Sequence, residues 1–161
     1  MARRTGYSGI QILLHWAVAV LVVFNWFYSE GMGRAVDNRL DGSTGPLELN
    51  PQIHVWVGVA VLVLVVVRFG LRKARGVPDV PGQGLLHVAG VWGHRLLYVL
   101  LFAVPLLGMA MWFAGIDAAG DIHKLCADAL LILAGAHAAM GLFHHYVLKD
   151  GLMARMMRPE S

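Results

Sequence analysis

Four long apolar stretches, with the charges kept almost entirely between them, constrain this chain more than anything else in it. A charge at mid-membrane costs roughly 2.5 kcal/mol or more, so a bilayer selects this layout. Only 14% of the 161 residues are charged and 58% are hydrophobic, where a soluble domain carries roughly a quarter charged residues. The backbone in lipid must satisfy its own hydrogen bonds, so each stretch is expected to be a helix. The fold class is therefore all-α, an integral membrane four-helix bundle, and at this length a single domain over 1–161 is expected.

The spans fall at approximately 10–28, 52–70, 94–114 and 122–148. The first follows Arg3 and Arg4 but is long enough to cross, and no small-residue cleavage site follows it, so it reads as an uncleaved helix. A polar stretch, Ser29 to Asn50, comes next, and Pro51 opens the second span. A basic loop, Leu71 to Gly84, precedes an amphipathic lead-in, Leu86 to Arg95, to the third span's hydrocarbon portion, Leu96 to Ala114. Pro105 predicts a kink there.

Charge then sets orientation. The N-terminus, second loop and tail hold Arg3, Arg4, Arg68, Arg72, Lys73, Arg75, Lys149, Arg155 and Arg158. The first and third loops and their flanks hold Arg34, Arg39 and Lys124 against Glu30, Asp37, Asp41, Glu48, Asp117 and Asp121. The positive-inside rule puts both termini in the cytoplasm, as an even number of spans requires. The net charge of +3 is a topology signal, and no soluble domain remains to bind nucleic acid. Cys126 is the single cysteine, which excludes an intrachain disulfide and cysteine-held metal clusters.

Eight histidines in so apolar a chain need a reason, since an ionisable residue within a span marks a functional site by default. His123 and His137 are 14 residues apart in the fourth span, so they share a face about 21 Å apart along the axis. Ala127, Leu130 and Ala134 lie between them, mostly small residues that admit a bulky flat ligand or another helix. Chain direction supplies partners by depth: His54 level with His123 near the outer surface, and His15 level with His137 in the inner half. Two facing imidazole pairs suit two axially ligated haems, with no coordination position left open. Zinc sites want more ligands and hard-ion sites want carboxylates, and no Asp or Glu is read well inside a span. A haem-free histidine-lined transporter is the remaining non-redox reading.

At these residues the sequence resembles the bacterial cytochrome b561 family of small four-helix di-haem membrane cytochromes. The resemblance runs through Tyr7-Ser8-Gly9-Ile10-Gln11 to His15-Trp16, His54 with Gly58 and Arg68, and Gly93-His94-Arg95-Leu96-Leu97-Tyr98. It continues through Gly135-Ala136-His137-Ala138-Ala139, His144-His145-Tyr146 and Lys149-Asp150, touching all four spans. It implies two haems b, ligated by His15 with His137 and by His54 with His123, and electron exchange with ubiquinone in the bacterial inner membrane. Some members of the family act as superoxide:ubiquinone oxidoreductases. Others are haem-bearing membrane subunits that relay electrons for a dehydrogenase or a periplasmic redox partner.

Arg68 lies 14 residues after His54, hence on its face at the inner pair's level. It reads as a partner for a haem propionate or as a positive-inside anchor, and Arg95 and Lys149 carry the same two readings. His94 reads as a quinone or propionate contact or as an interfacial histidine. The tryptophans fall mostly at span ends, as aromatic-belt residues do. No nucleophile–base pair and no phosphate-cradling loop is present, so no catalytic residue is assigned.

Overall fold

A computed structural model describes residues 6–43, 48–78 and 84–160. Arg3 and Arg4, which contribute to the charge count, lie outside the described residues. Four helices are long and apolar enough to cross a membrane: α1 (Gly9–Phe27), α3 (Leu49–Arg75), α4 (Leu85–Ala114) and α5 (Ala118–Phe143). The last runs on into a π-helical turn, His144–Leu148. Two short helices complete the chain, α2 (Met32–Leu40) and α6 (Leu152–Arg155), and no strand occurs among the described residues.

Several elements differ from the sequence reading. The polar stretch after α1 contains α2, whose charged residues hide a short amphipathic pattern with Ala35 buried. Leu71 to Arg75, read as loop, extends α3 by more than a turn, and the three cations in this last turn complement the helix dipole. The lead-in before Leu96 is continuous with α4, a helix of 30 residues with the buried Pro105 inside it.

At the start of α1 the backbone N–H of Ser8 donates to Gln11 Oε1 at 3.0 Å, satisfying one of the donors that a helix start leaves over. Gln11 Nε2 in turn donates to the carbonyl of Gly76 at 3.0 Å, tying α1 to the end of α3. The two ends of the chain meet there as well: Glu160 N–H donates to the Tyr7 carbonyl at 2.9 Å and Trp16 Nε1 to the Met156 carbonyl at 3.1 Å. We call this the terminal end of the bundle and the opposite one the distal end.

Val18, Val61, Val65, Leu101 and Leu130 form the buried core, one or two from each long helix. Away from it the apolar side chains point outward, as with Leu13 (63% exposed) and Ile132 (75% exposed). In water so much exposed apolar surface would drive aggregation, whereas in a bilayer it is the lipid-facing coat.

The core also sets the layering. Val61 lies seven residues from both His54 and Arg68, Leu101 from both Gly108 and His94, and Leu130 from both His123 and His137. Seven residues are two helical turns, about 10.5 Å. Three helices therefore carry the same three layers: a polar one at the distal end, an apolar one at mid-height, and a polar one toward the terminal end.

Candidate haem sites

In the distal layer His54 of α3 faces His123 of α5 with ring centroids 6.2 Å apart and planes at 78°. In the other layer His15 of α1 faces His137 of α5 at the same 6.2 Å, planes at 75°. Two metal–imidazole bonds of about 2.0–2.1 Å in line with two ring-centre offsets of about 1.1 Å put trans ligands about 6.2 Å apart, centre to centre. Both pairs have the centre-to-centre separation of two imidazoles that share one metal ion.

The distal pair is fixed from behind. His54 Nδ1 bonds to the Asn25 carbonyl at 3.0 Å and His123 Nδ1 to the Val104 carbonyl at 2.8 Å. A carbonyl only accepts, so each Nδ1 carries the proton and each Nε2 keeps its lone pair. Gly108 makes room for the His123 ring: a Cβ there would stand 3.0 Å from both Cε1 and Nδ1. Asn25 Oδ1 is buried without a hydrogen-bond partner, in the wall of a cavity of about 870 Å³ that both histidines line. Its floor includes Val61, Leu101 and Leu130, and its size is that of a cofactor site. The spacing, the oriented nitrogens, the glycine cradle and the orphaned amide oxygen together fit a flat, iron-bearing macrocycle.

The other pair has a different surround. Arg68 Nη2 lies 3.0 Å from His15 Nδ1, and since an arginine only donates, His15 accepts there and its proton belongs on Nε2. That is the reverse of the tautomer at the distal pair. The Arg68 guanidinium also lies over the Tyr98 ring, 5.3 Å from its centre. His94 of α4 bonds through Nδ1 to the Gly90 carbonyl one turn back, at 2.7 Å. Its ring centre is 4.9 Å from that of His137, too close for a metal between the two. Outside the spans, burial pushes the Tyr7 phenol above its usual range, with Arg72 and Arg68 pulling the other way.

Arg95 is not brought to either pair. Its guanidinium lies over Trp92 at 4.8 Å, and it is exposed. Lys149 is exposed too and takes the left-handed conformation (φ 52°) that ends the π-helical turn. His144 pairs with Asp150 and His145 packs against Tyr146, both away from the paired imidazoles. Among the described residues no three His, Cys, Asp or Glu side chains cluster as ligands of a metal ion.

One carboxylate was passed over. Asp128 sits five residues beyond His123 in α5, about 7.5 Å deeper, and lines the distal cavity. This corrects the expectation that no acid lies well inside a span. Its isolation in an apolar helix was the available signal.

Apolar helices enclosing facing imidazoles place this chain among the membrane cytochromes. A family profile described as prokaryotic cytochrome b561 matches residues 6–159, and the chain belongs to that family. It is 46% identical to cytochrome b562 of Cereibacter sphaeroides over 162 residues, 99% of each chain. It is 31% identical to a probable superoxide oxidase CybB of Yersinia pestis, covering 94% of this chain and 95% of that one. A third relative, cytochrome b561 homolog 1 of Escherichia coli K12, is 29% identical over 94% of this chain and 96% of its own length. Membership carries haem b binding, electron transport and a place in a lipid bilayer with it.

Proposed function

We propose that the protein is a di-haem b cytochrome of the inner membrane that moves single electrons between the outer face and the quinone pool. In this reading His54 and His123 ligate an outer haem at the distal end, and His15 and His137 an inner one. Both termini are cytoplasmic. The observation that carries it is the repeated 6.2 Å separation of the two imidazole pairs. When bound, haem iron supplies a one-electron couple whose potential depends on its axial ligands and their surroundings.

The chain's own part is to orient, to neutralise and to exclude water. The Asn25 and Val104 carbonyls hold the His54 and His123 rings through Nδ1, which leaves the Nε2 lone pairs for a metal and makes the rings more basic ligands. At the inner site the proton of His15 has to pass from Nε2 to Nδ1, and Arg68 has to turn away from it. The released guanidinium then suits a propionate carboxylate, which its fork matches in geometry. His94, held by the Gly90 carbonyl, stays a neighbour of the inner site and not a ligand of it. Val61, Leu101 and Leu130 keep the space between the layers dry.

Reduced-minus-oxidised spectra with pyridine haemochrome quantitation test this directly. Two low-spin b haems per chain are expected, falling to about one in His54→Ala or His123→Ala. No haem under haem-replete expression, or equal loss of both from either change, would sink the reading.

A second reading follows from the Yersinia relative: a superoxide:quinone oxidoreductase, acting without partners. The alternative is a non-catalytic relay serving a dehydrogenase or a periplasmic redox protein. Purified protein that reduces ubiquinone with superoxide as sole donor is the enzyme, and protein that does not is the relay.

A further inference from the structure

The two ends of the bundle differ in charge, and at the distal end the charges are sorted further. Among the described residues, seven of the nine acidic ones belong to that end with only three of the eleven basic ones, Arg34, Arg39 and Lys124. Five of those carboxylates, Glu30, Asp37, Asp117, Asp121 and Asp128, line the cavity that holds His54 and His123, and among the described residues Lys124 is the sole Lys or Arg with them. All five are exposed. Arg34 and Arg39 line a neighbouring cavity instead, together with Glu48. Arg39 is engaged there: its Nε donates to the Trp112 carbonyl at 2.8 Å and its guanidinium lies over the Trp112 ring at 4.9 Å. Arg39 is thus held against Trp112, itself 7% exposed, and not among the cavity's carboxylates.

Carboxylates around the mouth of a cavity with low-dielectric walls focus a negative potential through it. We propose that this mouth is an acidic port that selects a cationic one-electron carrier, a lysine-rich soluble redox protein, and disfavours small anions such as superoxide. The inference rests on the assignment of the outer haem to His54 and His123. Each productive encounter moves one electron: the carrier loses it as the site gains it, or the reverse. Carboxylates at the rim steer and orient such a partner, speeding association more than they tighten it.

The test uses the whole reduced protein in detergent and hexaammineruthenium(III) as the cationic probe. Each probe ion is reduced to ruthenium(II) as one haem iron(II) becomes iron(III), followed at the b-type absorbance. The basic inner end repels this probe, so the rate reads the outer mouth. For the unaltered protein the rate should fall severalfold as salt rises from about 10 mM to 1 M, where the screening length shrinks from about 30 to 3 Å. In the triple variant Asp37→Asn, Asp117→Asn, Asp121→Asn it should be about tenfold slower at low salt, the low end of electrostatic steering, and the difference should vanish at high salt. Enzymatically generated superoxide should reduce the oxidised triple variant faster than the unaltered protein.

A rate that is flat or rises with salt, a triple variant within twofold of the original, or faster reduction of the original by superoxide each overturns the port. The salt series needs no variant, so it stands if the triple variant fails to fold. Haem content measured on the same samples separates this from failure of the di-haem reading: absent haem removes the site, whereas intact spectra with the wrong charge dependence remove only the port.

Discussion

Gly108 carries no side chain because His123 leaves no room for one. The 3.0 Å separation of its missing Cβ from the imidazole is backed by a ring already pinned to Val104, so the ring cannot swing away without giving up that bond. Gly108→Ala is therefore expected to tilt His123 off its carbonyl. The outer haem should be lost or shifted in potential with the inner haem intact, as a redox titration of the two b-type signals would show. A variant with both signals unmoved would mean that the ring has slack. Arg68 gives the complementary case at the other layer. Arg68→Gln removes a cation from beside the inner site, which favours the oxidised, more positive form of that site. Its midpoint should fall by tens of millivolts, where 59 mV corresponds to about 1.4 kcal/mol for one electron, and the outer midpoint should stay. Which imidazoles are neighbours was legible in the sequence, because depth and face follow from counting residues along helices. The carbonyls behind the rings, the orphaned Asn25 amide and the His15–Arg68 contact were not, because they depend on which helices touch and at what rotation.

Among the elements, the heptad relation among the site and core residues of α3, α4 and α5 explains why so little buried apolar volume suffices. A residue at mid-height seven positions from each site residue points the same way as both, so one row per helix serves the two polar layers and the core between them. The histidine spacing of the fourth span and the His54–Arg68 spacing of the second carry this repeat in the sequence, while its recurrence in α4 needed the packing. α2 was missed because nine residues with three charges lack an apolar run, and a short helix lying at an interface needs only one buried face. Beyond α5, the π-helical turn and α6 depend on the Asp150 carboxylate, which pairs with His144 and accepts from the Leu152 N–H at 3.0 Å. The bond from His144 holds the Asp150 carboxyl below its usual range. A depressed carboxyl stabilises the folded tail fully above the ordinary carboxylate pKa, and the contribution disappears as pH falls through the depressed value. Asp150→Asn should accordingly speed amide exchange in segment 149–160 at neutral pH. The effect should stay within about 1 kcal/mol, as for an exposed pair, and shrink to nothing in acid. Equal exchange at neutral pH would show that the bonds of Met156 to Trp16 and of Glu160 to Tyr7 hold the tail without Asp150.

For the whole molecule, orientation links the charge pattern to function. The terminal end carries Tyr7, Met156 and Glu160 within hydrogen-bonding reach of one another or of α1, so the two ends of the chain face the same side whichever side that is. The proposed orientation takes its sign from the positive-inside rule: the cations of the α3 terminus, Arg72, Lys73 and Arg75, lie at this end and would hold it in the cytoplasm. The carboxylate-lined cavity then opens outward, where a soluble carrier would meet it. With Cys126 replaced by alanine, a single cysteine introduced at Ser43, on the distal side, should react with a membrane-impermeant maleimide in intact spheroplasts. One introduced at Arg158 should react only after permeabilisation. Both positions are exposed, so reactivity reports sidedness and not burial. The reverse pattern would put the acidic cavity in the cytoplasm and turn the direction of the proposed electron path around. Labelling of both from outside would mean that the four apolar helices do not all cross, and the layered haem arrangement would lose the bilayer depth on which it depends.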